Sequence, residues 1–213
     1  MNTPNHSTKT WLLSLIFLAL HCLGSYSDED AWQILFDGKG FDGWEGNYRY
    51  FRIEDQALVG GMLHAKIPRN QFLATHRSYR DFELQLEFKL LGEDTNAGIQ
   101  LRSQRIPDHH EVIGYQADLG QSYTGCLYDE SRRNKILAGP KPGELSGIIK
   151  EQDWNVYRIL CIGNRIRLWI NGHPTVDYTE EDSRIVQEGV IALQIHSGPP
   201  GEVHYRRIRL PEL

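Results

Sequence analysis

Four separated segments of this chain place a polar residue at every second position: Phe82–Lys89, Gly98–Gln104, Gly114–Leu119 and Ile191–His196. Alternation with a period of two marks a strand that buries one face and turns the other toward a polar environment. The apolar members, Phe82, Leu84, Leu86, Phe88, Ile99, Leu101, Ile191, Leu193 and Ile195, are expected between two sheets. The polar members are Gln85, Glu87, Gln100, Arg102, Gln116, Asp118, Gln194 and His196, and if the strands are neighbours these share one sheet surface. Repeated Gln, in place of the Lys, Thr, Ser and Glu usual on solvated strands, points to a surface that holds a polyhydroxylated ligand.

The rest of the chain reads as further short strands. Ala31–Phe36 ends at the turn signal Asp37–Gly38, and Tyr50–Ile53 and Ala57–Val59 form a hairpin around Glu54–Asp55–Gln56, followed by a short strand at Met62–Ala65. Trp154–Ile162, Arg165–Ile170 and Pro174–Asp177 are joined by Gly163–Asn164 and Asn171–Gly172, two-residue connections whose residues tolerate positive φ. Ser131–Gln152 is the longest irregular stretch, and Val203–Leu210 closes the chain. Dense Gly and Asx turns without a sustained helical period predict an all-β fold, a two-sheet antiparallel β-sandwich of jelly-roll type.

At 213 residues the chain suits one large all-β domain. The first 25 residues stand apart: Lys9 precedes the apolar run Trp11–Leu20, and the small residues Gly24 and Ser25 follow, as in a signal peptide. Export to the periplasm or medium is therefore expected, with the mature domain over residues 30–213. Lipidation at Cys22 is disfavoured because His21 stands where a small residue is wanted. Removing this leader takes away Lys9 and no acidic group, so the net charge moves from -5 to -6 (22 basic against 28 acidic). No basic stripe is legible, so neither nucleic acid nor an anionic membrane is an expected partner. Cys126 and Cys161 remain, either as one disulfide or as buried thiols.

Eight ordered pieces carry a family resemblance: LFDGKGFDGW (Leu35–Trp44), DFELQLEFKL (Asp81–Leu90), NAGIQLRSQ (Asn96–Gln104), GYQADLG (Gly114–Gly120), TGCLYDE (Thr124–Glu130), WNVYRI (Trp154–Ile159), WINGHPTVDY (Trp169–Tyr178) and GVIALQIHSG (Gly189–Gly198). Together they resemble the 3-keto-disaccharide hydrolase family, which is related in fold to the concanavalin A-like lectins and glucanases. The chain departs from the family at the first hairpin, where Asp55–Gln56 replaces the common Asp-Gly, and in the loop Pro140–Gly147. The resemblance implies cleavage of glycosides whose sugar carries a ketone at carbon 3. Such a ketone acidifies the hydrogen on carbon 2, so that a base can remove it and the enolate can expel the aglycone from carbon 1; water then adds back.

That reaction needs a base, an electrophile for the enolate oxygen and an acid for the leaving oxygen. Glu87, Asp118 and His196 are the candidate proton carriers, and Arg102 or a divalent metal the candidate electrophile, with His196 and either Glu87 or Asp118 as a mixed ligand set for such a metal. Gln85, Gln100, Gln116, Gln194, Tyr128 and Glu130 are the candidate sugar-binding residues. No nucleotide cofactor is expected. Each residue also has a structural reading: Glu87 as a cross-strand ion pair with Lys89 or Arg102, Arg102 as its partner, His196 bonded to a carbonyl, Asp118 capping the turn at Gly120, and Trp44 in the core. His109–His110 reads as a polar loop. A retaining glucanase on this fold would need two carboxylates about 5–5.5 Å apart, and no E-x-D-x-x-E strand supplies them. A lectin-like binding module is the remaining alternative to an enzyme.

Overall fold

The computed structural model describes Met1, residues 32–211 and Leu213; the expected leader and Cys22 lie outside the described residues. Fifteen strands follow in chain order: β1 (Trp32–Ile34), β2 (Trp44–Glu45), β3 (Phe51–Glu54), β4 (Ala57–Met62), β5 (Gln71–Tyr79), β6 (Phe82–Leu91), β7 (Ala97–Arg105), β8 (Val112–Leu119), β9 (Leu127–Glu130), β10 (Lys135–Ala138), β11 (Asn155–Ile162), β12 (Arg165–Ile170), β13 (His173–Thr179), β14 (Gly189–Ile195) and β15 (Gly201–Pro211). Sheet A has the order β13-β12-β11-β6-β15-β4-β3, with β1 also on β15; sheet B has the order β10-β9-β8-β7-β14-β5-β2. The pairings are antiparallel and the two sheets form the expected sandwich. Among the described residues, no helix is long and apolar enough to cross a membrane.

The nine apolar members of the alternating segments all enter the core, none more than 2 % exposed. Burial of side chains of this size contributes roughly 1.5–3 kcal/mol each, and so fixes the strand register. Trp44 is buried as well, its indole N–H donating to Leu35 O at 2.7 Å. Cys126 and Cys161 are unbonded and buried, and burial pushes their thiols up to about 11 and about 12.

Strand limits differ from expectation in three places. No separate strand forms at Met62–Ala65, because β4 runs through Gly60 and Gly61 to Met62. Strand β5 was hidden because its residues 71–75 are buried in succession and show no alternation. Strand β10 lies within the stretch expected to be irregular. The turn Asp55–Gln56 keeps both residues at positive φ, 48° and 60°, so the family's glycine position is filled by a side chain in a left-handed conformation.

Two bulges decide which side chains reach the surfaces. In β7 the register with β8 shifts between Leu101 and Gln104, and Arg102 has φ 49°. In β15 the register with β6 shifts between Arg206 and Arg209, and Arg207 has φ 52°. Each bulge inserts an extra residue that reverses the alternation beyond it.

Candidate active site

The outer face of sheet B is built in rows. Gly98 on β7 is in register with Asp118 on β8 and with Gln194 on β14, which is itself in register with Phe72 on β5. In the next row Gln100 pairs with Gln116 and Ala192, and Gln116 with Tyr128 on β9. A small apolar cluster of Phe72, Ala74, Val112 and Ala192 fills the rest of this face. The alternation thus places Gln100, Gln116, Asp118, Gln194, Tyr128 and Glu130 together.

A directed chain of hydrogen bonds crosses these rows. Ser103 Oγ donates to Gln100 Oε1 at 2.7 Å, Gln100 Nε2 to Gln116 Oε1 at 2.5 Å, and Gln116 Nε2 to Asp118 Oδ1 at 2.5 Å. Gly98 makes room for it: a Cβ there would lie 2.6 Å from Gln116 Cδ. Burial pushes the Asp118 carboxyl up to about 8, against the pull of the Gln116 amide and with added repulsion from Glu130. Glu130 is pushed up to about 7 by burial and then by repulsion from Glu111; the Ser131 N–H and the Gln194 amide draw it part of the way back. Tyr128 is also raised, by burial and by the Glu130 and Asp118 charges. Two carboxyls that titrate near neutrality and repel one another are the arrangement from which acid and base roles separate.

Gln194 is 0 % exposed, yet neither its Oε1 nor its Nε2 makes a hydrogen bond of normal geometry. Asn96 Oδ1 is likewise buried without a partner. Leaving such groups unmet costs about 1–3 kcal/mol each, which a ligand hydroxyl or carbonyl can recover. Asn96 continues the outward positions of Gly98 and Gln100, and its backbone carbonyl accepts from His196 N at 3.0 Å. A hollow of ≈ 760 Å³ adjoins the row at Phe72, lined by Gln71, Arg69, Arg105, His109 and His110 among others. Its size suits a small glycan. Asn70 stands between this hollow and the site, with Nδ2 3.4 Å from Glu111 Oε2 and Oδ1 accepting from Ser197 N.

Three expected members sit elsewhere, and the fourth, His196, stands at the end of this face. Gln85 and Glu87 belong to β6 in sheet A, so the single shared surface does not form: Glu87 is held by Arg206 at 2.6 Å and Arg207 at 2.8 Å, and Gln85 accepts from Arg209 at 3.1 Å. Arg102 is turned off the outer face by the β7 bulge. Its buried guanidinium donates to Arg80 O, Gly163 O, Gln187 Oε1 and Asp81 Oδ1, a set that ties sheet B to the β11–β12 hairpin. His196 lies one row beyond Gln194, its Nδ1 2.6 Å from Ser197 O. Glu87 and His196 are therefore on different sheets and cannot share a metal ion. Among the described residues no group of three or more His, Cys, Asp or Glu side chains is placed to hold one.

Residues 31–211 match the 3-keto-alpha-glucoside-1,2-lyase-like domain family. The chain belongs to that family. No curated protein matches the sequence of this lyase-like domain. Solved structures share its fold. A protein of Parabacteroides distasonis described as a candidate glycosyl hydrolase superposes with TM-score 0.65 at 17% identity, over 87% of this chain and 95% of that one. Carbohydrate binding module CBM66 from Bacillus subtilis gives TM-score 0.61 at 12% identity, over 80% and 96%. A Bacillus subtilis protein with a galectin-like fold gives TM-score 0.57 at 13% identity, over 87% and 92%.

Asn96, Ser103, Glu111 and Asn70 are candidate residues beside this face of the lyase-like domain that sequence reasoning missed. Asn96 was within reach, since it lies two residues before Gly98 in the same alternation. Asn70 and Glu111 each stand just before a strand, β5 and β8, where no periodic signal operates. Asp129, between Tyr128 and Glu130, faces the other way and is bound by Arg132 and Arg133 in a buried network with Glu180.

Proposed function

We propose that the outer face of sheet B binds a 3-keto-glycoside and cleaves it by elimination across carbons 1 and 2. The observation that carries this reading is the row Asp118–Gly98–Gln194, in which a buried carboxyl and a fully buried amide with open hydrogen-bonding capacity flank a residue with no side chain, over which the Gln116 amide lies. Membership of a family described by a 1,2-lyase activity on 3-keto-alpha-glucosides supports the choice of substrate.

In this scheme Glu130, which ionises first, takes the proton from carbon 2. The carbon–hydrogen electron pair moves into the carbon 2–carbon 3 bond, and charge gathers on the ketone oxygen, to which the Gln194 Nε2–H not directed at Glu130 can donate. Collapse of the enolate forms the carbon 1–carbon 2 double bond and breaks the glycosidic bond. Asp118, which keeps its proton longer, hands it to the departing oxygen. The aglycone leaves as an alcohol and the sugar as an unsaturated ketone, to which water then adds.

Incubating the protein with a 3-keto-disaccharide and with its unoxidised parent tests the proposal. Cleavage of the keto sugar alone, slowed by deuterium at carbon 2, is the expected result. Equal cleavage of both sugars would sink the elimination, and binding of the keto sugar without turnover would make this face a lectin-like module.

A further inference from the structure

The outer face of sheet A carries chemistry unlike the rest of the chain. Three tryptophans there lie beneath cations: Arg158 and Arg167 stand 4.4 and 5.5 Å from the Trp169 ring, Arg206 and Lys89 stand 3.8 and 4.9 Å from Trp154, and Arg209 stands 4.5 Å from Trp32. With Arg165 and Arg207, the five adjoining strands β13, β12, β11, β6 and β15 hold seven basic side chains against Glu83, Glu87, Glu202 and Asp177, the last held through both its oxygens by Arg165. That is a balance of +3 (seven minus four) on a chain of net charge -5. Beside them lies a hollow of ≈ 680 Å³ lined by Ile34, Gln85, Glu87, Arg206, Arg207 and Arg209. Asp37 and Asp55 also border it, and Asp37 Oδ1 accepts from the backbone amides of Lys39 and Gly40.

We propose that this face binds a polysaccharide bearing carboxylates, a uronate chain, at a site separate from the reacting face of sheet B. A guanidinium stacked on an indole keeps its N–H edge free for a carboxylate, and the stacking restrains it so that less freedom is lost on binding. The face already shows this pairing internally: Arg158 holds both oxygens of Glu83, at 2.7 and 3.1 Å. Positive charge is left over. Glu87 is shared between Arg206 and Arg207, and Arg209 bonds the neutral Gln85 amide. Cations already cover the indoles, so these rings are poor platforms for the base stacking that single-stranded nucleic acid uses. The preference for a glycan among polyanions also rests on the carbohydrate reading of the sheet B site.

Affinity electrophoresis of the whole chain in gels containing polygalacturonate, heparin, dextran or a single-stranded oligonucleotide tests the proposal. Polygalacturonate is expected to retard the protein and dextran not to. The double variant Arg167→Gln, Arg209→Gln should bind polygalacturonate ~10-fold more weakly or worse, with its thermal midpoint and any turnover of the keto sugar unchanged. No retardation by polygalacturonate, stronger retardation by heparin or the oligonucleotide, or equal binding by the double variant would overturn it. The gel does not depend on turnover. A chain that binds polygalacturonate but leaves keto sugars intact refutes the lyase reading alone, and one that cleaves them without binding refutes only the uronate site.

Discussion

Asp118 and Gln194 flank Gly98, the residue with which both are in register and over which the Gln116 amide lies. The carboxyl is supplied with a hydrogen bond by Gln116, whereas the amide has none of normal geometry. This imbalance sets up the first expectation. Gln194→Met, close in shape but without polar atoms, should leave stability unchanged or raise it by up to about 1 kcal/mol while weakening substrate binding at least ~10-fold. Urea unfolding and calorimetric titration with the keto sugar measure the two effects separately.

Removing either proton carrier should lower kcat by about 100- to 10,000-fold. Glu130→Gln and Asp118→Asn keep the shape of the site, so KM should change little. They differ with leaving group: an aglycone of low pKa needs no acid, and should rescue Asp118→Asn but not Glu130→Gln. Rescue of both, or of neither, would refute the assignment.

The pH dependence has a definite sign. Burial raises the folded-state values of Asp118 and Glu130 to about 8 and about 7, from 3.8 and 4.5. Between these limits the folded protein holds protons that the unfolded chain has lost, so this pair lowers stability progressively as pH rises from about 4 to about 8. Glu180 works in the opposite direction, being held at about 2 by Arg133, Tyr115 and the Asp182 N–H against the cost of its burial; its contribution is present above its unfolded value of 4.5 and is lost as pH falls toward 2. Thermal melts from pH 4 to 9 should show a decline toward the alkaline end that is shallower in Asp118→Asn.

Arg102 and Glu87 should separate stability from activity. Arg102→Ala removes a buried guanidinium from four acceptors, leaving half-exposed Asp81 with the Gly163 amide, and should cost about 1.5–3 kcal/mol in urea unfolding. Glu87→Gln breaks pairs at the surface of sheet A and should cost under about 1 kcal/mol. Whatever folds in either variant should turn over substrate at the parent rate.

How far the sequence foretold this follows from what alternation can encode. It distinguishes an inward from an outward position on one strand, and it placed Gln100, Gln116, Asp118 and Gln194 correctly on an outward face. It carries no information about which sheet a strand joins, and so it grouped Gln85 and Glu87 with residues on the far side of the sandwich. Arg102 was misplaced for a different reason: a left-handed residue in a bulge has no signature in an Arg-Ser pair. Strand β5 escaped notice because Phe72 and Ala74 meet the outer cluster while Leu73 meets the core, which erases the period on which detection depends. The basic face of sheet A depends on strand order, which brings Lys89 of β6 and the cluster Arg206, Arg207 and Arg209 of β15 beside Arg158, Arg165 and Arg167 of the β11–β12 hairpin.

The β7 bulge makes one strand serve two clients. Upstream of it, outward positions answer to whatever molecule occupies the groove; at the bulge itself, Arg102 answers to the joint between the sheets. Deleting Ser103 would put the strand back in phase, turn the Arg102 guanidinium toward the groove and leave Gln100 Oε1 without its donor. Tolerance to substitution along β7 should therefore change rhythm at Arg102, with ligand and scaffold each setting the rule on its own side.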